Sequence, residues 1–112
     1  MNPLNHVDRA GRELAEKVGD DGLDKLIEKH IEPDPHGRGI ADAAIKGRGV
    51  SVWVIRGEIE GGKGDFCYAA ESFRIPVDDV RGALAFYWRN RMMIRARIAL
   101  NSNDPAYVEL EA

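Results

Sequence analysis

The sequence predicts a mainly α-helical protein in which a helix-turn-helix runs into a long C-terminal helix, preceded by an N-terminal helical extension. Three observations carry that prediction. Asp78-Asp79 open a segment in which Val80, Leu84, Tyr87, Ile94 and Ile98 share one stripe at about 100° per residue. Upstream, Phe66 to Phe73 is long enough for about two helical turns and ends at Arg74-Ile75-Pro76-Val77. Ala70 then stands where a small residue lets two helices cross, Ile75 where an apolar plug fills the turn, and Val80 where the second helix anchors. Finally, Leu4, Val7, Leu14 and Val18, followed by Leu23, Leu26, Ile27 and Ile31, recur at helical spacing on either side of Gly19-Asp20-Asp21-Gly22.

Taken in order, Pro3 suits a first helical turn, and the glycines at 19 and 22 divide the N-terminal stretch into two short helices or one broken one. Lys29 and His30 fall near its end, where cations favour the negative pole of a helix. Glu32-Pro33-Asp34-Pro35-His36-Gly37 excludes regular structure, so the main boundary is placed there. This divides the chain into an extension (1–35), a helix-turn-helix domain (36–101) and an acidic tail (102–112). Val50 to Ile55 is β-branched and flanked by glycines, as a strand would be, yet Val52, Ile55 and Ile59 also fit one helix face. Gly61-Gly62-Lys63-Gly64 is a break. Acids at 78 and 79 suit the first turn of the long helix, which is expected to run to about Leu100.

Leu, Ile, Val and Phe make up 27 of 112 residues, enough for an ordinary core in one domain. No apolar run approaches the ~18 residues of a membrane span, and no signal peptide opens the chain. The single Cys67 excludes an intrachain disulfide framework, so a cytoplasmic protein is expected. The net charge of −3 hides an asymmetry. Residues 1–34 sum to −4, 35–65 to +1, 66–101 to +3 with every cation an arginine, and 102–112 to −3. A basic segment of this kind suits a nucleic-acid face or an acidic partner. The pI near 5.6 argues against strong non-specific DNA binding by a monomer.

Catalytic constellations fail on chemistry. Gly57 to Gly64 nearly spells a phosphate loop, but Gly64 stands where a magnesium-binding hydroxyl belongs and two glutamates would repel phosphate. His30, Glu32, Asp34 and His36 match no closed zinc site and lack a thiolate, so a solvated helix end is the better account. Cys67, between Phe66 and Tyr68, is expected in the core. Nothing argues for an enzyme, a cofactor or a metal.

The helix-turn-helix does carry a mechanism. Its second helix would enter a major groove, with Arg74 and Arg81 near the docking end and Lys46 or Arg48 on phosphate. Asp78 and Asp79 oppose this, since they would face the DNA. The long helix also has an apolar surplus: Trp88 and Met92 flank its core stripe, and Phe86 and Met93 lie opposite. Either a dimer or protein partner covers these four residues, or the N-terminal helices do.

Residues 40–101 resemble the bacterial and archaeal antitoxin-like family known as domain of unknown function 433. The resemblance lies in Ile45-Lys46-Gly47 with Val50-Ser51-Val52-Trp53, and in Phe73-Arg74-Ile75-Pro76-Val77-Asp78-Asp79-Val80. It is closest in Ala83-Leu84-Ala85-Phe86-Tyr87, which continues through Asn90 to Ile94-Arg95-Ala96-Arg97-Ile98. It implies a trihelical, homeodomain-like or winged helix-turn-helix fold, with a short extended segment at 45–50 and a helix at 52–60. It also implies a homodimer and, as partner, a PIN-like ribonuclease toxin. The chain differs from the pattern in its Gly47-Arg48-Gly49 loop, in the basic run Arg89 to Met93, and in residues 1–35, which have no clear counterpart.

The expected function is therefore that of an antitoxin. The long helix would dimerise through Phe86, Trp88, Met92 or Met93, and the acidic tail would engage the toxin through Tyr107, Val108 and Leu110. A regulator binding its own promoter DNA through Lys46, Arg48, Arg74 and Arg81, and an assembly module with neither activity, are the alternatives.

Overall fold

The computed structural model describes residues 5–102. Pro3 and Leu4 lie outside them, as do Tyr107, Val108 and Leu110 of the tail. The first helix, α1, spans His6–His30, and Gly19 (φ 73°, ψ 176°) bends it into two arms. The Gly-Asp-Asp-Gly signal thus marks a kink at its first glycine, where only a residue without Cβ adopts this backbone cheaply. At the start of α1, the Asn5 side chain accepts from Asp8 N (2.8 Å). The Glu60 carboxylate accepts from His6 N (3.3 Å) and Val7 N (3.1 Å). Helix-end amides that lack an intrahelical partner are thereby satisfied from a distant element.

Two residues after α1, Ile31–Glu32 (β1), pair antiparallel with Ala44–Ile45 (β2), in register Ile31 to Ile45. A 3-10 turn, Ile40–Asp42, precedes β2. Gly47 (φ 73°) and Gly49 (φ 71°) then close a tight loop, with Ile45 N bonded to Val50 O at 2.8 Å. The expected extended segment at 45–50 is therefore shorter than anticipated and begins a residue earlier. Val52–Gly61 is helical (α2), burying Val52, Ile55 and Ile59 on one face. The i, i+3, i+7 spacing outweighs the β-propensity of Val-Trp-Val-Ile, because the helix hides three apolar side chains together.

Phe66–Phe73 (α3) starts at Asp65, whose carboxylate accepts from Cys67 N (2.9 Å) and Tyr68 N (3.4 Å). It stops at Arg74, which takes the left-handed conformation (φ 54°, ψ 48°) usually given to glycine. Ile75 is buried, and its N–H returns to Ala70 O (3.0 Å). Val77–Arg89 (α4) and Arg91–Ser102 (α5) follow.

The expected single helix from 78 to 100 is thus two helices. At Asn90 (φ −126°, ψ 28°) the N–H bonds to Phe86 O and Tyr87 O, and the side-chain amide donates to Phe86 O (3.0 Å). These bonds cap α4 and redirect the chain. Ile94 and Ile98 still reach the core beside Val80, Leu84 and Tyr87.

The fold is mainly helical with a small two-stranded sheet, and α4 is its centre, packed on by α1, α2 and α3. Gly82 lets α1 come close: a Cβ there would lie 2.5 Å from His30 Cβ. With α1, α2 and α3 packed on α4, Ala83, Ala85 and Phe86 are buried as well as the expected stripe. Phe86, expected at an interface, is instead a core residue of its own chain. No described helix is long and apolar enough to cross a membrane.

Candidate functional site at the start of α4

Asp78 and Asp79 occupy the first turn of α4, where the helix dipole favours acids. Their side chains have different environments. Asp78 is exposed and pairs with Arg81 (3.0 Å). Asp79 turns inward, where a buried carboxylate needs partners to offset lost hydration. His30 Nδ1 donates to its Oδ1 (2.7 Å), and Arg48 Nε to its Oδ2 (3.0 Å). One carboxylate thus fastens the end of α1 and the 46–49 loop to α4. Lys46 joins the cluster, its ammonium bonded to Glu28 O and its backbone N–H to His30 O (2.9 Å).

Three of the four expected DNA-binding residues, Lys46, Arg48 and Arg81, therefore gather around the start of α4. Arg74 stands exposed at the end of α3. The structure adds Lys17, Lys25 and Lys29 from α1, which sequence reasoning missed. Their charges vanish in the acidic sum of residues 1–34, and only the i, i+4 pair Lys25 and Lys29 hinted at a cationic edge. With Arg81 and His30 they border a groove of about 430 Å³, whose apolar base includes Leu14, Val18 and Leu26. A smaller hollow of about 190 Å³ shares Leu14, Lys17 and Arg81 with it and extends towards Ala10, Glu13 and Phe66. Apolar base and cationic rim suit an anionic ligand that also has apolar surface.

The remaining arginines of the basic segment mostly face acids of this same chain. Arg89 pairs with Asp24 (2.9 Å) and bonds to Asp20 O (3.0 Å). Arg95 pairs with buried Asp8, and Arg97 with buried Asp42. The Tyr87 hydroxyl donates to Asp8 and accepts from Arg95 Nε (3.2 Å), while buried Arg56 lies over the Tyr87 ring at 5.6 Å. This second polar cluster ties α1, α2, α4 and α5 together.

Of the expected interface residues, Met92 and Met93 are exposed on α5. Trp88 is half-buried, with its ring against Gly11 on one side and the Arg91 guanidinium 4.0 Å from its centroid. Ala96 and Leu100 are also exposed, so Met92, Met93, Ala96 and Leu100 form one apolar stripe on α5. Cys67, expected in the core, is exposed, because Ala69 and Ala70 take the inner face of α3. His30 is turned to Asp79 and Asp34 accepts from Gly39 N (3.0 Å). Among the described residues no group of three His, Cys, Asp or Glu side chains could hold a metal ion. No family model, curated protein or solved structure matches this chain.

Proposed function

We propose that the protein is a non-catalytic, homodimeric antitoxin that binds and neutralises a PIN-like ribonuclease. The observation that carries the reading is the exposed stripe Met92, Met93, Ala96 and Leu100. It is an apolar surface that nothing in its own chain covers among the described residues, and such surfaces usually serve association. It leads directly towards residues 103–112, which carry Tyr107, Val108 and Leu110 among Asp104, Glu109 and Glu111. An acidic segment is complementary to a ribonuclease rim that must hold RNA phosphate. The resemblance of residues 40–101 to antitoxin-like sequences, with a trihelical, homeodomain-like core, points the same way. Purified protein mixed with the candidate ribonuclease should form a complex on gel filtration and suppress RNA cleavage. Deletion of 102–112 should abolish both effects, and unchanged inhibition would remove the tail from the account.

A second reading, as a regulator binding its own promoter, is favoured by the convergence of Lys46, Arg48 and Arg81 with three lysines of α1. Insertion of α4 into a major groove is not the route, since α1 covers that helix and Asp78 and Asp79 stand at its start. Binding would use the phosphate backbone and would weaken steeply with salt. Arg81→Ala should weaken it while leaving a toxin complex intact.

A further inference from the structure

The groove between the arms of α1 and the start of α4 has a composition that this chain itself can complement. Its base, Leu14, Val18 and Leu26, is apolar, and its rim bears Lys17, Lys25, Lys29 and Arg81 against a single carboxylate, Asp78. Residues 103–112 carry three carboxylates and no cation. In an extended segment side chains alternate, so Val108 and Leu110 share one face and Tyr107, Glu109 and Glu111 the other. The pattern fits the groove: two aliphatic anchors for the base, and two glutamates displayed towards the lysines.

We propose that this groove is the docking site of the chain's own residues 107–111, held in an extended form with Val108 and Leu110 on the apolar base. The reach is of the order of the molecule's own dimensions. From Ser102 to Leu110 there are eight residues, which span up to roughly 27 Å when extended. The molecule itself measures 34 × 31 × 26 Å. Tethering supplies an effective concentration of about millimolar, so the contact needs little intrinsic affinity to be occupied. Docking here does not rest on the antitoxin reading. Under that reading it has a consequence: a toxin that takes the tail must first lift it from the groove, which leaves the cationic rim free.

Disulfide trapping tests the proposal in the full chain without any partner. In a Cys67→Ser background, Val18→Cys with Val108→Cys places one thiol in the groove and one on the segment. Pairs of Val108→Cys with Glu28→Cys or Glu71→Cys place the first thiol on exposed surface outside it. Under a mild oxidant at low protein concentration, the groove pair should form an intramolecular disulfide roughly tenfold faster than either control. Lys25→Glu with Lys29→Glu should bring that rate down to the control level. Equal rates for all three pairs, disulfide-linked dimers in place of the intramolecular product, or a rate indifferent to the charge reversal would each overturn the proposal. Toxin binding enters none of these measurements, so failure here is separable from failure of the antitoxin reading.

Discussion

Asp79 joins three elements through two hydrogen bonds, to His30 and to Arg48, from a position that is 9% exposed. Asp79→Ala strands both partners beside the core and should cost about 2–4 kcal/mol in urea unfolding. Arg48→Ala, which loses a half-exposed partner, should cost less than about 1 kcal/mol. If the two variants unfold alike, the carboxylate is not the junction described. Backbone geometry gives a second pair of contrasts. Gly82→Ala forces a methyl group against His30 Cβ and should destabilise by about 1–3 kcal/mol. Arg74→Gly relieves a left-handed backbone and should stabilise by about 0.5–1 kcal/mol. Thermal melts of the two variants should move in opposite directions.

Among the elements, α5 carries the clearest association surface. Met92→Lys with Leu100→Lys changes only exposed positions, so stability should stay within about 0.5 kcal/mol of the parent. Sedimentation should nonetheless show the proposed dimer lost; a persisting dimer would place the interface elsewhere. The helices themselves were legible because their apolar residues recur at the helical period, and the core stripe of Val80, Leu84, Tyr87, Ile94 and Ile98 was read in full. The break at Asn90 was not, because it depends on a side-chain amide folding back onto Phe86 O while the apolar period continues across it. The burial of Phe86 was one of two readings left open, a partner or the N-terminal helices as its cover. A helix periodicity says which faces are apolar, but not that a second element, α1, lies over the far face. Cys67 was misplaced for a related reason: on a helix as short as α3, two alanines were enough to define the inner side.

Across the whole molecule, the charge asymmetry of the sequence becomes internal order. The acidic N-terminal region and the arginine-rich C-terminal region meet, as Arg89 pairs with Asp24 and Arg95 with Asp8. Cations also remain at the surface around the start of α4, three of them from the helix that the composition marked as acidic. Three of the candidate site residues, Lys46, Arg48 and Arg81, come together there. Their setting, a groove walled by α1, depended on long-range packing that no local pattern encodes. The proposed function is the binding of a ribonuclease. It is tested most directly by recovering the tagged full chain from native lysate, with and without nuclease treatment, and identifying what accompanies it. The account predicts a small ribonuclease that remains bound after nuclease treatment. Recovery of the protein with only nuclease-sensitive DNA would contradict it and leave a regulator in its place.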